Sequence, residues 1–104
     1  MKSKEEEQVC TRLQNELNEA ALWDALVQFQ GCPLQTVKGL EFTYSIKGGE
    51  IFVDRKEKSI IRSSVKIAFQ KVIELEGIVT GPKKLKVFGA SYLYPIFREL
   101  GIIK

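Results

Sequence analysis

The sequence predicts a single α+β domain, because a segment with strand-like alternation lies between segments of helical periodicity. Residues 40–54 alternate apolar and polar side chains, whereas residues 4–30 and 59–76 repeat apolar side chains every three or four positions. The predicted order is a long N-terminal helix, a β-hairpin or three-stranded antiparallel meander, and then one medium and two short C-terminal helices. Because 104 residues are typical of one domain, we expect residues 1–104 to form one folded unit.

The N-terminal part, residues 1–30, is predicted to be helical and carries a formal charge of −3. A single helix over residues 4–30 would be about 40 Å long. That length exceeds the diameter of about 33 Å expected for a compact domain of this size. We therefore expect the helix to break near Asn15 or Asn18, or else to project from the domain as an arm.

Residues 34–54 are predicted to form the β-structure, and Gly48-Gly49 is its clearest signal. Two adjacent glycines suit a two-residue hairpin turn, in which both positions need a positive φ. The register that this turn sets creates one apolar face, which consists of Tyr44, Ile46, Ile51 and Val53. Residues 34–38 are the candidate third strand, because a two-stranded hairpin alone is only marginally stable in water.

The C-terminal part, residues 55–104, is predicted to be helical and carries a formal charge of +7. A medium helix is expected over residues 59–76, and two short helices are expected within residues 80–100. The N-caps that the sequence offers to these three helices are Ser59, Thr80 and Ser91. Gly77 is expected to follow the medium helix at its C′ position.

The residue types exclude several classes of function. The chain contains no histidine, which removes the usual catalytic triads, imidazole metal ligands and the near-neutral proton shuttle. Cys10 and Cys32 alone cannot provide a four-ligand zinc site. We therefore expect no enzyme activity, no metal and no cofactor. No apolar run approaches the ~20 residues that cross a bilayer, and residues 1–7 lack the pattern of a secretory signal, so we expect a cytoplasmic protein with reduced cysteines.

Basic side chains gather at two predicted helix starts, which is the pattern expected of a surface that contacts phosphates. The candidate nucleic-acid or anion-binding residues are Arg55, Lys56, Lys58, Ser59, Arg62, Ser63 and Lys66 in the first cluster, and Lys83, Lys84 and Lys86 in the second. The other interpretation of both clusters is an ordinary solvated helix face. Tyr92 and Tyr94 either stack on the bases of a single strand or complete an edge of the core.

The leading hypothesis from the sequence is a small cytosolic, non-catalytic protein that binds nucleic acid, or serves an accessory role, through phosphate contacts of its basic C-terminal half. The alternative is a protein-interaction or homo-oligomeric module, such as a homodimer, that uses the apolar segment 22–29. Its candidate interface residues are Leu22, Trp23, Leu26 and Phe29. A third hypothesis is a small-molecule or enzymatic role, in the form of an anionic metabolite bound beside Ser59 and Arg62.

Overall fold

A computed structural model describes residues 8, 11, 13–15, 17–55 and 59–103. Its elements in chain order are α1 (Glu19–Phe29), β1 (Leu34–Gln35), β2 (Glu41–Phe42), β3 (Tyr44–Lys47), β4 (Glu50–Val53), α2 (Arg62–Glu74), a 3-10 helix (Pro82–Leu85) and α3 (Ala90–Leu100). This mixture of helices and antiparallel strands agrees with the predicted α+β class. Within these residues, no helix is both long enough and apolar enough to cross a membrane.

The predicted long N-terminal helix is interrupted at Leu17 and Asn18. Residues 8, 11 and 13–15 have helical backbone, whereas Leu17 and Asn18 do not. The Asn18 side chain accepts a hydrogen bond of 2.8 Å from the backbone N–H of Ala21, and so caps α1. Asparagine favours this position because its side chain competes with the helical backbone. The long N-terminal helix is therefore not confirmed as one element, and Asn18 is one of the two breakpoints that the sequence offered.

The predicted hairpin is confirmed in its register. Lys47 pairs with Glu50 and Tyr44 pairs with Val53 across β3 and β4. Gly48 and Gly49 form the turn with φ values of +58° and +79°, as a type I′ hairpin turn requires. The expected apolar face consists of the buried Tyr44, Ile51 and Val53 and the half-buried Ile46.

The three-stranded meander is wrong, because β1 pairs with β2 in a sheet of its own. Leu34 lies opposite Phe42, and Gln35 lies opposite Glu41. The chain reverses immediately after β1, since the N–H of Gly39 donates to the carbonyl of Thr36 at 2.9 Å. This turn returns the chain to β1 before it can reach the hairpin.

Both edges of the β3–β4 hairpin are occupied by groups from outside its two strands. Along β3, the N–H of Ile46 donates to the side-chain Oε1 of Gln30 at 3.1 Å, and the carbonyl of Tyr44 accepts from the N–H of Gly31 at 2.8 Å. Along β4, Ile51 and Ile60 exchange two backbone hydrogen bonds, of 2.9 and 2.8 Å. These contacts pair backbone groups that an edge strand would otherwise expose.

Helix α2 is shorter than predicted at both ends. Its N-cap is Ile61 rather than Ser59, because the pairing of Ile60 with Ile51 keeps the preceding chain extended. At its other end, Glu76 has a φ of +54° and occupies the C′ position that the sequence assigned to Gly77. The N–H groups of Glu76 and Gly77 donate to carbonyls of the last helical turns, and so form a Schellman motif.

The 3-10 helix and α3 correspond to the two short C-terminal helices that the sequence predicts. Their first residues differ from the prediction, because the N-caps are Gly81 and Gly89 instead of Thr80 and Ser91. Helix α3 lies at the centre of the fold, where it contacts α2, β1 and the 3-10 helix. Its buried side chains are Leu93, Tyr94, Pro95, Ile96, Phe97 and Leu100.

Candidate nucleic-acid interface

A groove lies between the β1–β2 turn and the segment that runs from the 3-10 helix into the first turn of α3. We call it the basic groove. Its lining residues are Thr36, Val37, Lys38, Leu40, Pro82, Lys83, Ser91 and Tyr92. Its volume is about 510 Å³, which lies within the range of sites that bind small molecules or single groups of a polymer. Two of these residues are lysines and none is acidic, so the lining carries a net positive charge.

The β1–β2 turn holds the first set of groove residues in a fixed loop. The N–H of Thr36 donates to the carbonyl of Leu40 at 2.9 Å, and the N–H of Leu40 donates to the Thr36 hydroxyl at 3.1 Å. Gly39 adopts a φ of +85°, a conformation that glycine reaches without steric cost. The turn leaves Val37 65% exposed and Leu40 48% exposed, with the exposed Lys38 between them.

The 3-10 helix provides the second set. Pro82 occupies its first position, where the fixed φ of proline suits a helix start. Leu85 is fully buried and anchors the turn to the core, while Lys83 and Lys84 remain exposed. The exposed Lys86 follows in a left-handed conformation, with a φ of +53°. A helix of four residues is too short to offer a strong dipole, so the positive charge here comes from the lysine side chains.

The first turn of α3 completes the groove with Ser91 and Tyr92. Ser91 is exposed and Tyr92 is half-buried. The Tyr92 ring packs edge-to-face on the ring of Phe42, with centroids 5.1 Å apart and an interplanar angle of 82°. Phe42 is itself 1% exposed, so this contact fixes the orientation of the Tyr92 ring. Tyr94 lies elsewhere, in the core, where its hydroxyl donates to the carbonyl of Val79 at 3.3 Å.

The described residues of the first predicted cluster lie outside the lining of the basic groove. Arg62 among them contacts other side chains of the same chain. The guanidinium Nε of Arg62 contacts the Glu19 carboxylate at 3.0 Å. Its Cζ lies 5.0 Å from the centre of the Trp23 ring, a cation–π distance. The hydrogen bond from Arg62 holds the pKa of Glu19 below its usual value, and the charge of the exposed Lys66 acts in the same direction.

The other described residues of the first cluster contact different parts of the chain and do not share one site. The Ser59 hydroxyl donates to the Glu50 carboxylate, and the Nε of Arg55 donates to the backbone carbonyl of Glu41. Ser63 is exposed in the first turn of α2. Lys56 and Lys58 lie outside the described residues. Ser59 therefore does not cap α2. Its hydroxyl is bound to Glu50, so it does not form the anion site with Arg62 that the sequence predicted.

The apolar segment 22–29 contributes mainly to the core of its own chain. Leu22 and Leu26 are fully buried and Phe29 is 3% exposed, so these three side chains are not available to a partner in this fold. Trp23 is half-buried beneath the guanidinium of Arg62. Val27 is exposed on the other face of the helix.

The sequence pattern predicted Lys83 as a site residue and Tyr92 as a possible stacking residue. It did not predict that either residue lies near Lys38 or Leu40. A local signal was present, because Lys38-Gly39 follows the turn-forming Thr36 and stands between two apolar residues.

In the part of the chain that the structure describes, no group of three or more Cys, Asp or Glu side chains is arranged to hold a metal ion. No protein-family profile, curated protein or solved structure matches this chain.

Proposed function

We propose that this chain is a non-catalytic nucleic-acid-binding protein, cytoplasmic in location, that holds the sugar–phosphate backbone with the lysines of the basic groove. The observation that supports the proposal is the meeting of Lys38 and Lys83 in one groove that no acidic side chain lines. Lysine contacts to phosphate supply affinity without reading sequence. The neighbouring Lys84 and Lys86 are exposed and extend the positive charge along the chain.

The basic groove supports this proposal better than the Arg62 cluster does. Arg62 already has a carboxylate and an aromatic ring as partners, and the Glu19 carboxylate offsets its positive charge. No acidic side chain lines the basic groove, so the charges of Lys38 and Lys83 are not offset in this way within its lining. We therefore assign the phosphate contacts to Lys38 and Lys83 in place of Arg62 and Ser59.

The test is fluorescence anisotropy with labelled oligonucleotides over a series of salt concentrations. We expect the wild-type protein to bind at low salt, with an affinity that falls by a log–log slope of about 0.7 to 0.9 for each phosphate contact. Lys38→Glu and Lys83→Glu should each weaken binding and reduce that slope by about one contact.

The matched control is Lys47→Glu, which makes the same charge change at the exposed hairpin end of β3. We expect Lys47→Glu to bind almost as the wild type does. Absence of wild-type binding at low salt would overturn the proposal, and so would equal losses in the control and the groove variants.

The homo-oligomeric alternative has less support, because Leu22, Leu26 and Phe29 are occupied by the core of the chain. Trp23 and Val27 remain as the accessible apolar residues of that segment. Light scattering over micromolar concentrations separates the two functions, since the nucleic-acid proposal requires no self-association.

A further inference from the structure

The lining of the basic groove contains more apolar surface than phosphate contacts require. Val37, Leu40 and Pro82 lie beside the two lysines, and the Tyr92 ring completes the same groove. Exposed apolar side chains that are concentrated in one concave site are typical of a binding surface rather than of ordinary solvated protein. The ligand should therefore have both a negative charge and an apolar face.

We infer that the ligand of the basic groove is a single-stranded nucleic acid, with one base seated against Leu40 and Tyr92 and the adjoining phosphates held by Lys38 and Lys83. This inference rests on the proposed function and specifies its substrate. A base has an apolar π-face and is joined covalently to charged phosphates, so one nucleotide matches both parts of the lining.

A duplex fits this arrangement poorly. Its bases are stacked and paired in the interior, so their faces cannot enter a groove, whereas an unpaired base can turn outward and stack on a side chain. A duplex would contact the lysines alone and leave Leu40 and Val37 in water. The structure thus favours single strands through its apolar residues and tolerates duplexes through its charges.

The contacts that hold Tyr92 and the Leu40 backbone strengthen the inference. The Tyr92 ring is oriented by the buried Phe42, and Leu40 is held by two hydrogen bonds to Thr36. A site that is ordered before binding loses less conformational entropy when the ligand arrives. The ring of Tyr92 and the backbone of Leu40 are therefore held by contacts of the chain itself before a base binds.

The experiment compares one labelled single strand, the duplex of the same sequence, and inorganic polyphosphate as a purely anionic polymer. We expect the single strand to bind more tightly than the duplex at equal salt. Leu40→Ser and Tyr92→Leu should each weaken single-strand binding by about 5-fold or more and leave duplex and polyphosphate binding within about 2-fold. Lys83→Glu should weaken all three.

The matched control is Val27→Ser on the exposed face of α1, where Val27 is 49% exposed and Leu40 is 48% exposed. Circular dichroism and the melting temperature establish whether each variant is folded. If Tyr92→Leu does not fold, the binding measurements on Leu40→Ser alone test the inference. Equal binding of duplex and single strand, together with wild-type behaviour of Leu40→Ser, would overturn this inference and leave the proposed function standing. Failure to bind either nucleic acid would overturn both.

Discussion

At the scale of single residues, Tyr44 shows how a buried polar group is used. Its hydroxyl donates a hydrogen bond of 2.6 Å to the carbonyl of Leu26, while the residue is only 2% exposed. Leu26 lies in the last turn of α1, where carbonyls lack partners within the helix. The hydroxyl therefore joins β3 to the end of α1. Burial also raises the pKa of Tyr44 above its usual value.

We expect Tyr44→Phe to lower the free energy of unfolding by about 1 to 3 kcal/mol, because it leaves the Leu26 carbonyl buried without this donor. Urea denaturation at neutral pH measures the change. Ser45→Ala, in the same strand but on its other face, is the control and should change stability by no more than about 0.5 kcal/mol.

The same hydroxyl also gives the stability a pH dependence. The folded protein keeps the Tyr44 proton at pH values where the unfolded chain releases it, above about pH 10, so stability from this group falls as pH rises through that region. Tyr44→Phe should decline less steeply than the wild type over the same range. A mutant that is as stable as the wild type at neutral pH and declines as steeply would show that the hydrogen bond contributes nothing.

At the scale of elements, local sequence signals predicted the β3–β4 hairpin but not the pairing of β1. Gly48-Gly49 and the alternation around it predicted the hairpin register, because turn type and face pattern both require the same pairing. The partner of β1 was not predictable in this way, since two residues of strand carry almost no register information. Its pairing with β2 follows from the turn at Thr36 and Gly39, whose backbone hydrogen bonds leave no periodic pattern in the sequence.

The Asn18 cap decides where the N-terminal helical region is divided. We expect Asn18→Ala to destabilise the protein by about 1 kcal/mol, because the N–H of Ala21 loses its side-chain acceptor. Thermal denaturation followed by circular dichroism measures the loss. Asn15→Ala is the matched control within the preceding helical segment and should be neutral or slightly stabilising. A larger loss of stability from Asn15→Ala than from Asn18→Ala would show that the Asn18 cap is not what stabilises the start of α1.

At the scale of the whole molecule, the basic groove depends on segments that are far apart in sequence. Lys83 was predictable as a member of a basic run, whereas Lys38 belongs to residues 31–54, whose formal charge is −1. The packing of α3 against β1 and the 3-10 helix brings the segments that carry Lys38 and Lys83 to one groove. The sequence therefore predicted the charge of the site but not its shape or its apolar lining.

Gly89 controls how closely the start of α3 approaches the residues before α2. A Cβ at this position would lie 2.6 Å from the side chain of Ile60, and the φ of Gly89 is +82°. We expect Gly89→Ala to lower the free energy of unfolding by about 2 to 4 kcal/mol, since it combines left-handed strain with overpacking in the core. Urea denaturation measures the change.

Gly39→Ala is the matched control for this effect. Gly39 has a similar φ of +85°, but a Cβ there would meet no atom within 4 Å. Gly39→Ala should therefore carry the backbone strain alone, about 1 to 2 kcal/mol. If the two variants lose the same stability, the close packing of Gly89 on Ile60 has no energetic role.

The occupied edges of the β3–β4 hairpin have a consequence for the behaviour of the chain in a crowded solution. The N–H of Ile46 and both backbone groups of Ile51, through which another strand could pair, are already used by Gln30 and Ile60. Open sheet edges are the usual template for domain swapping and amyloid growth. In this chain, another strand can pair at these positions only after the contacts of Gln30, Gly31 or Ile60 break, so the segments beside the hairpin also shield it from other chains.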